Sequence, residues 1–144
     1  MKRREQETEK LPLFKGIRIL VVDDDADSRD VVCVMLEHGG ASVTTAESAA
    51  EAFIHYVGAT DTGYDVLISD LAMPNRDGLW LLHQIKSQAR ERGRELWAIA
   101  LSAHVEEAVR SAAAEAGFDV FLSKPFEFED LANAVILRRP LPGP

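Results

Sequence analysis

The apolar positions of the chain fall into short blocks that alternate between two periods. From residue 17 the run Ile-Arg-Ile-Leu-Val-Val is β-branched and nearly continuous in apolar character, as a strand covered on both faces of a parallel sheet requires. Over 28–36, Val31, Val32, Met35 and Leu36 recur at helical spacing and mark a core-facing stripe, which Gly39-Gly40 stops. The alternation then repeats, with a short strand over 41–45, a helix over 48–56 and an apolar third strand over 64–69. Asp77-Gly78 opens a helix through Leu79, Leu82 and Ile85, a fourth strand covers 96–101, and a helix runs from about 105 to 116, ended by Gly117. Residues 118–122 form the fifth strand and 127–137 the fifth helix, after which Pro140-Leu141-Pro142-Gly143-Pro144 cannot continue a helix. Five such units imply right-handed crossovers and helices on both sheet faces. The expected fold is α/β, flavodoxin-like and doubly wound, with five parallel strands in the order 2-1-3-4-5.

Length and composition narrow the class without changing that picture. At 144 residues the chain has the size of one domain able to bury a core without disulfides or structural metal. Residues 1–10 are almost wholly polar and of mixed sign, so 1–14 is expected to be a flexible tail or linker, 15–139 the folded domain and 140–144 a second tail. A net charge of -8 repels phosphate backbones and anionic lipid, which argues against direct nucleic-acid binding. Cys33, the one cysteine, sits in an apolar stretch and is expected to be a buried small hydrophobe. The basic start of the chain is followed by no apolar leader, and no apolar run reaches the length of a membrane span, so neither export nor membrane insertion is expected and the cytoplasm fits best.

In a sheet of this kind ligands bind at the carboxyl ends of the strands, beside the switch point between the first and third. There the sequence is polar: the first strand ends in Asp23-Asp24-Asp25, the third in Asp70, the fourth in Ser102 and the fifth in Lys124. Carboxylates gathered around one lysine repel each other unless a cation joins them. Hard oxygen donors that leave room for water suit Mg²⁺ best. A flavin or nucleotide phosphate is disfavoured, because the loop after the first strand offers acceptors where such sites place Gly, Ser or Thr donors. An ionised aspartate beside a metal and a lysine can instead attack phosphorus and form an acyl phosphate.

The segments Ile19-Leu20-Val21-Val22-Asp23-Asp24-Asp25, Ser69-Asp70-Leu71-Ala72-Met73-Pro74, Leu101-Ser102-Ala103 and Lys124-Pro125-Phe126 together resemble the receiver domains of two-component response regulators, over about 17–138. Each segment alone is a weak signal; four in order, each at a predicted strand end, are specific. The resemblance implies a signalling phosphoacceptor, which assists its own phosphotransfer and slow autodephosphorylation but is no separate enzyme. Asp70 would accept the phosphoryl group. Asp23, Asp24, Asp70 and the backbone carbonyl of Ala72 would hold Mg²⁺, with Mn²⁺ an acceptable substitute. Ser102 and Lys124 would bind the phosphoryl oxygens, Ser102 and Phe121 would form the switch, and the bond before Pro125 is a candidate cis peptide. The implied phosphodonor is a sensor histidine kinase or a phosphotransfer protein. Output would pass through a partner protein, a relay or a fused domain, by way of the face of the fourth helix, fifth strand and fifth helix. Residues 13–22 further resemble the junctions that lead into receivers of hybrid sensor kinases. Position 72 lacks a polar side chain and position 121 lacks the tyrosine hydroxyl common in the family, which leaves the phosphoryl lifetime open.

Two other functions share some of these residues. A phosphatase of the haloacid-dehalogenase kind would use Asp23 as nucleophile with Asp25 two residues on, leaving Asp70 without a purpose. An interaction module that ignores phosphorylation would not need the intact set of Asp23, Asp24, Asp70, Ser102 and Lys124. Asp25, Asp27 and Asp77 stand where helix caps or loop charges are expected, and Trp80 and Trp97 at core positions. His38, His55 and His83 lack ligand-like spacing, and His104 falls at the rim of the site.

Overall fold

The computed structural model describes residues 13–59, 63–92 and 95–137. It contains β1 (Arg18–Val22), α1 (Ala26–His38), β2 (Ser42–Ala46), α2 (Ala49–Gly58), β3 (Val66–Asp70), α3 (Gly78–Arg92), β4 (Trp97–Ser102), α4 (Glu107–Ala116), β5 (Val120–Ser123) and α5 (Phe128–Ile136). All pairings are parallel. The strand order is β2-β1-β3-β4-β5, as the alternation of strands and helices predicts.

Strand periodicity divides the core into two halves. Leu20, Val22, Leu67, Ala98 and Ala100 point to the face covered by α2, α3 and α4. Their neighbours Ile19, Val21, Val66, Ile68, Ile99 and Leu101 point to the face covered by α1 and α5. Every residue of β3 is buried, which explains the apolar run Val66-Leu67-Ile68 and leaves Ser69 and Asp70 as the polar exceptions where the strand ends.

Several boundaries differ from those expected. The third strand reaches Asp70 itself, and the fifth starts at Val120 because Phe118 belongs to the end of α4: Gly117 adopts φ 109° and the Phe118 N–H closes on the Ala113 carbonyl. The buried Phe118 ring supplies the apolar contact that accompanies this helix end. On α1 only Val32 and Leu36 are buried; Val31 and Met35, expected in the stripe, form the neighbouring row one residue back, which turns outward, leaving Met35 half-buried and Val31 52% exposed. Cys33 is half-buried rather than buried, and burial together with the Glu37 carboxylate raises its pKa. Phe14, at the end of the segment 1–14 expected to be a tail, is fully buried. Its N–H donates to the Gly39 carbonyl (2.7 Å), and its ring fills the space that a Cβ at position 39 would take. The folded part thus extends back beyond 15, while the rest of the proposed tails, 1–12 and 140–144, lies outside the described residues.

Candidate functional site

Backbone hydrogen bonds between neighbouring strands fix the four loops that meet at the carboxyl edge. The Asp23 N–H donates to the Ala46 carbonyl (3.2 Å), that of Leu71 to Leu101 (3.0 Å) and that of Lys124 to Ser102 (2.8 Å). The site residues therefore inherit the rigidity of the sheet. The β3–α3 loop is tighter still: the Gly78 N–H reaches the Leu71 carbonyl (3.2 Å), and a Cβ on Gly78 would stand 2.6 Å from the Asp70 carbonyl oxygen. Only glycine permits this approach.

Asp23 is fully buried and Asp70 is 9% exposed, and both carboxylates take a hydrogen bond from the Lys124 ammonium at 3.1 Å. Asp23 Oδ1 also accepts from the Asp25 N–H (2.9 Å) and Asp70 Oδ1 from the Ala72 N–H (3.0 Å). Asp24 is exposed at the rim, and oxygens of Asp23, Asp24 and Asp70 lie within 4.8 Å of one another, the one acidic cluster of this kind among the described residues. Three carboxylates then face one lysine. Burial raises the Asp70 pKa, with Lys124 and the Ala72 N–H pulling it back only in part. For Lys124, burial alone would lower the pKa, but the bonds to Asp23 and Asp70 reverse this and raise it. The balance of charge fits a hard divalent cation held by oxygen donors, as receiver domains hold Mg²⁺ in an acidic pocket.

Ser102 is 2% exposed. Its hydroxyl donates to the His104 carbonyl (3.0 Å) and accepts from the His104 N–H (2.9 Å), so it is engaged within its own loop. Phe121 is half-buried against α4, with the Arg110 guanidinium 4.6 Å from its ring centroid. The Lys124-Pro125 bond is cis. Asp25 caps α1 by accepting from the Ser28 N–H (2.8 Å), and this hydrogen bond lowers its pKa. With its carboxylate so used, the Asp23–Asp25 pair that a dehalogenase-like phosphatase needs is not assembled. Asp77 caps α3 through the Trp80 N–H (2.9 Å). Trp97 bonds the Ala134 carbonyl through its ring N–H, and Trp80 packs edge-on against Phe53 beneath the Arg76 guanidinium, so neither ring enters the site.

Two further residues support the site. Arg29 donates to the Asp23 carbonyl (2.8 Å) and steadies the acidic loop, and the Ala72 N–H orients Asp70. Arg29 is legible once α1 is placed, because helical side chains lean toward the N-terminus and a long one at the end of the first turn reaches back over the preceding loop. The Ala72 contact leaves no trace in side-chain chemistry, since it needs only a backbone amide.

The doubly wound parallel sheet thus gathers two buried carboxylates and a lysine at its carboxyl edge, beside the switch point between β1 and β3. The family model of the response regulator receiver domain matches residues 19–136, and the chain belongs to that family, the receivers of two-component signalling. It is 41% identical over 117 residues to the "Uncharacterized 14.6 kDa protein in sodA1 3'region" of Leptolyngbya boryana, covering 81% of this chain and 86% of that one. It is 37% identical over 129 residues to the response regulator MprA of Mycobacterium bovis, covering 88% of this chain but 53% of MprA, so it spans about half of that regulator. Its structure is similar to that of the receiver domain of the histidine kinase CKI1 from Arabidopsis thaliana complexed with Mg²⁺ and BeF₃⁻, with a TM-score of 0.78 at 28% identity, covering 88% and 92% of the two chains. Among the described residues no helix is long and apolar enough to cross a membrane.

Proposed function

We propose that the chain is a phosphoacceptor switch in which Asp70 takes a phosphoryl group from a phosphohistidine of a sensor kinase or phosphotransfer protein. The observation that carries this reading is the sharing of one lysine by the buried carboxylates of Asp23 and Asp70. An Asp70 oxygen attacks phosphorus as the phosphorus–nitrogen bond of the donor breaks, and the imidazole leaves. Lys124 lies against Asp70, where it neutralises charge gathering on the phosphoryl oxygens. Asp23, Asp24, Asp70 and the Ala72 carbonyl would hold Mg²⁺, or Mn²⁺ in its place. When bound, the cation supplies the further positive charge that phosphoryl transfer and retention require.

Once attached, the phosphoryl group competes for the Ser102 hydroxyl, which leaves its His104 partner. Phe121 then moves inward, and the surface of α4, β5 and α5 changes for an output protein or fused domain. Hydrolysis of the acyl phosphate by water returns the switch slowly to its starting state. Mg²⁺ titration by calorimetry, followed by ¹⁹F NMR of bound beryllofluoride, tests the site. Native protein is expected to bind one Mg²⁺ and to take up beryllofluoride only in its presence, and Asp23→Asn to lose both. Beryllofluoride uptake in EDTA, or undiminished Mg²⁺ binding by Asp23→Asn, would contradict the assignment.

A further inference from the structure

Arg110 contacts both the loop that follows β4 and the ring of Phe121 on β5. From the first turn of α4 its Nε–H donates back to the Val105 carbonyl (3.3 Å), in the loop that follows Ser102. Its guanidinium lies 4.6 Å from the Phe121 ring centroid on β5. The loop between these contacts is closed at its other end by the two hydrogen bonds that Ser102 exchanges with His104. Beside it a cleft of about 470 Å³, lined by Ala72, Met73, Ser102, His104 and Val109 among others, leaves the loop room to move. The loop, the cation and the ring therefore form one connected arrangement, and any displacement of 103–105 that follows Ser102 shifts the carbonyl on which Arg110 rests.

We infer that Arg110 is a positioning residue that ties the Ser102 loop to Phe121, holds the ring in its unphosphorylated place, and releases it when the loop is drawn toward Asp70. The inference rests on the reading of Asp70 as phosphoacceptor and adds how attachment is transmitted to β5. A cation over the ring face stabilises the ring where it is, and a guanidinium serves here because it offers a planar charge and a separate Nε donor at once. Removing it biases the resting equilibrium toward the inward ring, and that bias raises the fraction of molecules ready to accept the phosphoryl group.

The test uses the full chain and compares native protein with Arg110→Met, which keeps the apolar stem without charge or donor, and with Arg110→Lys. The ring resonances of Phe121 are followed by NMR, free and with Mg²⁺ and beryllofluoride, and phosphoryl uptake from acetyl phosphate is followed by intact mass. In the free Arg110→Met protein the Phe121 resonances are expected to move toward the position they take in beryllofluoride-loaded native protein. Uptake is expected to quicken about two- to five-fold, the range an exposed cation over a ring is worth. Arg110→Lys should fall between native and Arg110→Met. Unmoved resonances, an unchanged rate, or a lysine variant displaced as far as the methionine one would overturn the inference. A native chain that takes up no phosphoryl group would overturn the phosphoacceptor reading instead, while the free-state resonances still decide whether Arg110 holds Phe121.

Discussion

Carboxylates stand at both edges of the sheet, and their surroundings differ. At the amino edge Asp65 accepts from the Arg18 N–H (2.9 Å) and the exposed Asp119 from the Ala98 N–H (2.8 Å), each satisfying a backbone donor near the start of a strand. At the carboxyl edge Asp23 and Asp70 are buried and divide one lysine between them, with Asp24 beside them. Each amino-edge carboxylate accepts from a backbone N–H and acts as a cap. The carboxyl-edge groups hold three carboxylates against one lysine, a charge excess of the kind that clusters at functional sites. Residue type alone would not separate the two edges; partners and burial do.

If that contrast is right, the largest effect belongs to Lys124→Met. It strands two buried carboxylates and is expected to cost about 3–5 kcal/mol in metal-free protein. Added Mg²⁺ should restore much of the loss, which thermal unfolding with and without the metal would measure. At the amino edge Asp119→Ala removes the acceptor of the buried Ala98 N–H and is expected to cost about 1–3 kcal/mol, with no dependence on Mg²⁺. A metal-dependent loss there would erase the distinction between the edges.

Asp70→Asn should act in the opposite direction, stabilising the metal-free protein at neutral pH by about 1 kcal/mol or more, because it leaves one lysine for one buried carboxylate. The raised pKa of Asp70 means that the folded state holds a proton more firmly than the unfolded state. The cost of ionising it therefore appears as pH rises from its ordinary value of 3.8 through the folded one, and the advantage of Asp70→Asn should vanish below that range. Denaturant melts at acid and neutral pH would show whether it does. Lys124 carries the other sign: its raised pKa gives stability that is complete below its ordinary value of 10.5 and is lost as pH climbs through the folded value. The smallest effect is expected for Asp25→Ala, which removes the α1 cap and should leave Mg²⁺ affinity, measured by calorimetry, nearly intact.

The strand order and the convergence of Asp23, Asp24, Asp70, Ser102 and Lys124 on one edge were legible in the sequence, because alternating β and α blocks allow few topologies and each polar group marks the end of an apolar run. Less legible were features set by backbone or by distant packing. Phe14 lies at the junction between the polar residues 1–10 and β1, and its burial over Gly39 is what joins it to the core. Phe118 looked like strand because its apolar character suits both a strand and the closure of a helix at Gly117. The amide of Ala72 on Asp70, and Arg110 between Val105 and Phe121, depend on loop geometry that no periodicity encodes.

The central claim, that the charge excess at the carboxyl edge exists to put a phosphoryl group on Asp70, is tested most directly by intact-protein mass after incubation with acetyl phosphate. Native chain and Asp70→Asn are each treated in Mg²⁺ and in EDTA. The expected result is one added phosphoryl group on the native chain in Mg²⁺ and none in the other three samples. An added group that persists in Asp70→Asn, or its absence from folded, Mg²⁺-binding native protein, would contradict the claim.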